Sequence, residues 1–479
     1  MTVGADIRPD LLFLYTLFKH LKKVVRARIL FFELLVPLRS DNLYLSIIAR
    51  EHKADSNKLD NNKLDSNKLD NNKPANNKFE NNKLENSIMK KQTLAIHNPF
   101  PEKDAYGSLG MPVYHTAAYE FDDADHMADV FCSRVIEPDY SRVMNPTVMY
   151  LENKVKALTG AADVIALNSG MAAISNTMLA LAAAGKNIVT SRHLFGNTFS
   201  LLTVTLARFG VETRLCDLTN PEEVAAAVDD NTCCIFLKII TTPQMEVADL
   251  AALARIAHSH NAPLVADTTL IPFTQFNAHA PGVDIEIVSS TKYLSGGATS
   301  LGGLIIVYGS AEGFNARIRF EMLFNVGAYM TPHAAYMQTL GLETLDARYR
   351  VQSANALSLA RKLKTLDRIK RVNYVGLEDN PYHELARRQF GPTAGAMLTI
   401  DLESLDACKR FINSLSLIRR ATNLFDNRSL AIHPASTIFG PFTDEQRQAM
   451  DVLDTTIRLS VGLEDADDLF DDIRQALEK

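Results

Sequence analysis

Between residues 163 and 308 the chain alternates short apolar runs with helix-like segments, and that alternation restricts the fold more than any other feature. Runs at 164–167, 187–190, 211–216, 232–240, 263–266, 285–288 and 303–308 read as strands. Stretches at 171–184, 196–209 and 248–260 read as helices, and Asn220-Pro-Glu-Glu opens another with capping chemistry. Strands joined through helices build βαβ units and a mostly parallel sheet. Ligands of such sheets sit at the carboxyl ends of the strands. Three segments meet that condition: Asn168-Ser-Gly-Met171, Asp267-Thr-Thr269 and Ser289-Ser-Thr-Lys292. After about residue 330 the texture changes. Residues 331–366 read as largely helical, and from 371 onward strand-like runs (396–400, 456–460) mix with helices, which predicts a smaller α/β C-terminal domain.

The first 88 residues differ from the rest. Residues 1–50 are basic, and their apolar runs at 11–18 and 29–38 are too short to span a membrane. No small-residue cleavage site follows the first run, which fits a signal peptide poorly; a transit peptide is weakened by Asp6, Asp10 and Glu33. Residues 56–85 are six pentapeptides of the type Asn-Asn-Lys-Leu-Asp. A period of five matches neither helix nor strand, and Lys balances Asp/Glu in an Asn-rich background. Such a segment buries too little apolar surface to offset ordering entropy. A pentapeptide β-solenoid is the sharper alternative. The expectation is that folding begins near Met89, with residues 1–88 a disordered tail or translated upstream sequence.

The net charge of −6 argues against nucleic acid as the default partner. Five cysteines, an odd number without a C-x-x-C, give neither a disulfide framework nor a zinc site and fit a reducing, cytoplasmic compartment.

Three residues at the strand ends carry chemistry. Lys292 lies among hydroxyls and ahead of Ser295-Gly-Gly-Ala-Thr-Ser-Leu-Gly-Gly303. Alone it reads as a surface lysine, but hydroxyls and glycines suit phosphate, and lysine forms Schiff bases with carbonyls. Asp267 ends the run Pro-Leu-Val-Ala-Asp. It could cap a turn, or a carboxylate there could keep a pyridine nitrogen protonated and make the ring an electron sink. Ser169-Gly170-Met171 opens a helix, either as a cap or as a seat for a phosphate on the helix N-terminus.

Seven motifs stand in one order over the chain from about Gln92 to the end: Tyr140-Ser-Arg-Val-Met-Asn-Pro-Thr147, Asn168-Ser-Gly-Met-Ala-Ala-Ile174, Thr242-Pro-Gln-Met-Glu-Val-Ala-Asp249, Ala266-Asp-Thr268, Ser289-Ser-Thr-Lys-Tyr293, His433-Pro-Ala-Ser436 and Ile457-Arg-Leu-Ser-Val-Gly-Leu-Glu-Asp465. Together they resemble the Cys/Met-metabolism family of pyridoxal 5'-phosphate (PLP) enzymes, and most the O-acetylhomoserine sulfhydrylases. The resemblance implies an α/β, aminotransferase-like architecture (fold type I). An N-terminal arm at 89–150 would serve a neighbouring subunit's site, a PLP-binding large domain would span 151–335 and a C-terminal domain 336–479. Lys292 and Tyr140 are the catalytic candidates, and Lys292 would hold PLP covalently and shuttle protons. Asp267 would pair with the pyridinium, and Phe195 would stack on the ring. The Gly170 and Met171 amides with the Ser289 and Thr291 hydroxyls would bind the phosphate, helped by Tyr140 and Arg142 of an adjacent subunit. Arg458 would grip the substrate α-carboxylate, with Asn423 beside it. The assembly implied is a homotetramer built from two dimers.

The departures from the family pattern are specific. Phe195 replaces the usual tyrosine, whose phenol is thought to protonate the γ-leaving group in lyases. Gly296-Gly-Ala-Thr299 replaces Gly-His-Ser-Asp, and Asp267-Thr-Thr269 replaces Asp-Asn-Thr. Phe425 stands in place of glycine, and Asn197 stands where methionine γ-lyases carry cysteine. The leading expectation is γ-replacement on O-acetylhomoserine by sulfide or a thiol, giving homocysteine or methionine. The alternatives are a methionine- or cystathionine-type γ- or β-lyase, the methionine type disfavoured, and an inactive scaffold of the same fold.

Overall fold

The computed structural model describes residues 89–97, 104–311 and 313–479. The expectations for residues 1–88, pentapeptides included, lie outside the described residues.

The alternating segment forms a seven-stranded sheet. Its strands are β1 (Asp163–Leu167), β2 (Asn187–Ser191), β3 (Glu212–Cys216), β4 (Thr232–Lys238), β5 (Leu264–Asp267), β6 (Ile285–Val288) and β7 (Gly303–Val307), in the order β1-β7-β6-β5-β4-β2-β3. Strands β2 to β6 pair in parallel. β7 runs antiparallel to both β6 and β1, so β1 points the same way as the parallel set. The reason is local: only the short turn Tyr293–Ser295, no crossover helix, separates β6 from β7. The sheet is covered on both faces. In β1, Val164 and Ala166 enter one apolar cluster while Ile165 and Leu167 enter another, and β4 and β5 alternate the same way. That double burial explains why these strands read as continuous apolar runs.

The helix expected at 196–209 is not uniform. It starts as an α-helix over Gly196–Ser200, widens to a π-helical turn at Leu201–Thr205 and tightens to a 3-10 turn at Leu206–Phe209. The run Thr203-Val-Thr is β-branched, and the Thr203 hydroxyl bonds back to the Phe199 carbonyl at 2.9 Å, both of which disfavour a regular helix.

A second sheet holds β8 (Arg371–Asn373), β9 (Met397–Asp401), β10 (Arg419–Arg420), β11 (Leu430–Ile432) and β12 (Thr456–Ser460), in the order β10-β11-β12-β9-β8. Arg458 sits mid-strand in β12, between Thr399 and Ile432. The helices Leu345–Leu363 and Ala466–Glu478 pack beside it.

The arm is tied in from the first described helix, Lys91–Ile96. Lys91 Nζ donates to the Phe273 carbonyl at 2.7 Å, and the buried Lys154 ammonium donates to Ala95 O at 2.8 Å and to Glu343 at 3.1 Å. Among the described residues no helix is long and apolar enough to cross a membrane.

Candidate active site

The carboxyl ends of β1, β4, β5 and β6 lie along one edge of the sheet. They carry Ser169-Gly170-Met171, Lys238, Asp267 and Ser289-Ser-Thr-Lys292 respectively. β12 adds Arg458, and the segment ahead of β11 adds Asn423.

The corner between the Gly170 helix N-terminus and the Ser289 loop is built by close packing of backbone. Ser169 caps the helix Gly170–Leu181 through its hydroxyl to Ala172 N at 3.1 Å. The amides of Gly170 and Met171 in the first turn have no intrahelical acceptor. A Cβ on Gly170 would stand 2.6 Å from the Ser289 Cβ, and one on Gly303 would run into the Ser169 carbonyl. Glycine at both positions lets the helix N-terminus reach the Ser289 loop. That loop is pinned by Ser289 N donating to the Thr269 hydroxyl at 2.8 Å, and Thr269 N donates in turn to Asp267 Oδ1 at 3.0 Å. The Thr291 hydroxyl exchanges hydrogen bonds with the Gly302 main chain, at 3.1 and 3.0 Å. Thr268, at the family's asparagine position, turns away from the cleft and donates to the buried Glu286 at 2.5 Å.

Lys292 Nζ donates to Asn423 Oδ1 at 2.7 Å. The next residue, Tyr293, is buried and stacks on Phe425 with centroids 3.8 Å apart and planes 10° from parallel. Phe425 holds φ +54°, the left-handed region that glycine tolerates and that costs an L-residue about 1–2 kcal/mol. Burial and the stack offset that cost. The family's glycine is thereby explained as a backbone requirement that this chain meets with an aromatic ring. The following loop needs glycine where Gly297 stands at φ +119° against the Asn427 amide, which in turn donates to Gly296 O at 3.1 Å.

The electrostatics of the site are one-sided. Burial, with the Arg458 guanidinium and the Lys238 ammonium adding to it, pushes the Lys292 amine down to about 8, against the pull of Asp267. Burial also pushes Lys238 down to about 8 and brings Arg458 to about 10. The two lysines thus feel each other and the Arg458 guanidinium, with Asp267 pulling on both.

The structure therefore brings together Lys292, Asp267, Arg458 and Asn423, with Gly170, Met171, Ser289 and Thr291 beside them along the same edge. Phe195 follows β2 on that edge and opens the helix Gly196–Ser200. Tyr140 and Arg142 stand elsewhere within the chain. Arg142 donates to Phe324 O at 2.6 Å and lies 5.5 Å from the Tyr140 ring centroid, and both line an open cavity of about 1190 Å³ with Phe121, Met127 and Phe320. Neither contacts the Lys292 cluster among the described residues. Two features escaped the sequence reading. Lys238 was absorbed into an apolar strand, although a lone charge ending such a run was the same signal that marked Asp267. His193 is held between Glu246 at 2.5 Å and Asp451 at 2.8 Å. Burial works against its protonation, but the two carboxylates outweigh burial and raise its pKa. It ties the loop before Phe195 to the C-terminal half.

A doubly covered α/β sheet with a half-buried lysine and an aspartate after adjacent strands, and a glycine-lined helix N-terminus beside them, defines a PLP-dependent enzyme of fold type I. The comparisons with known proteins agree. The model of the Cys/Met metabolism PLP-dependent enzymes matches residues 92–478, and the chain belongs to that family. It is 37% identical over 398 residues to the L-methionine gamma-lyase of Fusobacterium nucleatum, covering 82% of this chain and 99% of that one. It is 30% identical over 416 residues to the O-acetyl-L-homoserine sulfhydrylase of Corynebacterium glutamicum, covering 80% and 95%. A solved Campylobacter jejuni protein assigned as an O-acetylhomoserine (thiol)-lyase, carrying a pyridoxyl-lysine phosphate, superposes with a TM-score of 0.79 at 32% identity, over 82% of this chain and all of that one. The cofactor is PLP, and the reaction belongs to the γ-replacement and lyase class.

Proposed function

We propose that this protein catalyses γ-replacement on O-acetylhomoserine, with hydrosulfide or a thiol as the incoming group and homocysteine or methionine as the product. One observation carries the choice of substrate: the ring-stacking position is Phe195, so no side-chain acid stands there, while Lys292 is half-buried near the buried Arg458. A carboxylate such as acetate is a weak base and leaves without being protonated. A thiolate is a stronger base and leaves well only with an acid to help.

PLP supplies an electron sink for charge that develops at the substrate α-carbon. The remaining work falls to the chain. The Gly170 and Met171 amides and the Ser289 and Thr291 hydroxyls would hold the phosphate, Asp267 would face the ring nitrogen, and Phe195 would lie on the ring. Arg458 would receive the α-carboxylate through its planar fork, with Asn423 alongside. Lys292 would take the α-proton on Nζ and return one later; with its pKa near 8, an appreciable share is neutral close to neutral pH. Tyr140 and Arg142 would serve the phosphate of a second copy in a homotetramer.

The test is product analysis on purified protein given O-acetylhomoserine with and without sulfide. Sulfide-dependent homocysteine supports replacement. Release of 2-oxobutyrate and ammonia without homocysteine favours the second reading, a γ-lyase, which the 37% identity to a methionine γ-lyase supports.

A further inference from the structure

Lys238 is a buried amine to which no role has been given. It ends β4, and its register partner on the neighbouring parallel strand is Asp267, the last residue of β5. Directly paired residues of a sheet project from the same face, about 4.8 Å apart at the backbone. Lys238 is 9% exposed, and its ammonium has one hydrogen-bond partner, the Thr242 hydroxyl at 3.2 Å. Among the described residues it closes no direct ion pair. The charged groups that act on it are Asp267 from β5, Arg458 from β12 and Lys292 from the loop after β6. Asp267 is the one carboxylate acting on either lysine among the described residues. A buried ammonium so poorly satisfied is expensive to keep, and a hydrophobic strand end would be cheaper.

We propose that Lys238 is a positioning residue: its buried positive charge draws on the Asp267 carboxylate from the adjacent strand and biases Lys292 toward the neutral, nucleophilic amine. A neighbouring cation is one of the ways a lysine is activated for attack on a carbonyl. The Lys238 charge acts on the cofactor side of the site in two ways that agree in sign. It repels a proton on the Lys292 nitrogen, and it draws on the carboxylate that would otherwise stabilise positive charge on the ring. The proposal rests on Lys292 as the cofactor-bearing lysine.

The test is a pH titration of the visible absorption band of the PLP-loaded enzyme, from about pH 6 to about pH 10, in the native protein and in Lys238→Met and Lys238→Arg. Removing the charge should move the midpoint up by roughly one pH unit, the scale of one charge acting across a partly buried site. Lys238→Arg keeps the charge across the whole range, whereas Lys238 itself loses its proton near 8, so the arginine variant should titrate at or below the native midpoint. Lys238→Gln, which retains a hydrogen-bonding end near Thr242, replaces the methionine variant if that one fails to fold. A midpoint unchanged in the charge-free variant overturns the proposal, as does an arginine variant that shifts up as far as the methionine one. Lys292→Ala separates this failure from failure of the underlying reading. If the band survives in Lys292→Ala, the assignment of Lys292 is wrong and the proposal falls with it. If the band is lost there but Lys238→Met changes nothing, only the role of Lys238 is wrong.

Discussion

β1 ends beside the cluster of Lys292, Asp267 and Arg458 and begins on another charged cluster, and the two clusters are solved in opposite ways. At its start, Arg319 donates to Asp163 at 2.8 and 3.0 Å, to Glu152 at 3.1 Å and to the Val164 carbonyl at 2.7 Å. Burial works against that guanidinium, yet the two carboxylates outweigh it and raise its pKa. Glu152 also accepts from Ala166 N at 2.8 Å, which ties the cluster to the strand. This network is closed on itself. At the other end of the sheet Lys238 and Lys292 share Asp267 beside the buried Arg458, and burial lowers the pKa of all three cations. A closed network holds a fold together, whereas an open one is completed by anions brought in from outside. The α-carboxylate of an amino acid and the phosphate of PLP are such anions.

Breaking the open cluster should abolish function and spare the fold. Lys292→Ala should reduce turnover by at least about 10³-fold, as expected when a nucleophile and proton carrier is lost, and should remove the visible band while leaving the melting temperature near that of the native protein. Breaking the closed cluster should do the reverse. Arg319→Met leaves two buried carboxylates without their cation and should cost about 3–5 kcal/mol in denaturant unfolding, with the band's pH midpoint unchanged. Arg458→Lys keeps a charge but loses the planar fork. KM for the amino-acid substrate should rise about 10- to 100-fold in steady-state kinetics. Loading of PLP onto the cofactor-free protein, followed by growth of the visible band, should speed up as pH rises through about 8, because the Lys292 amine that captures the aldehyde loses its proton there and not at the usual lysine value. A smaller effect is expected of Phe195→Tyr, which restores an acid at the ring-stacking position. Sulfide-independent 2-oxobutyrate should increase a few-fold relative to homocysteine, as assayed from one reaction mixture.

Much of this site could be read from the chain because its residues end apolar strands. Asp267 and Lys292 are each the polar stop after a buried run, and a parallel sheet places such stops on one edge. The antiparallel β7 was less legible, since a strand run looks the same in either direction and only the missing crossover helix marks it. Arg458 lies mid-strand in a separate sheet, where nothing local says that it faces Lys292; the family motif, not the periodicity, pointed to it. Lys238 was overlooked for the opposite reason, because its run is so apolar that one lysine read as the tail of a strand. The pairing of Lys238 with Asp267 is a property of sheet register, and register is set by contacts between strands that a single strand's sequence does not display.

The central claim is that Lys292, and not the more deeply buried Lys238, carries the cofactor. Borohydride reduction of the PLP-loaded protein, followed by proteolysis and mass spectrometry, tests it directly. A phosphopyridoxyl group on the peptide that contains Lys292 is the predicted result. The same group on the peptide that contains Lys238, or no modified peptide at all, would contradict the account.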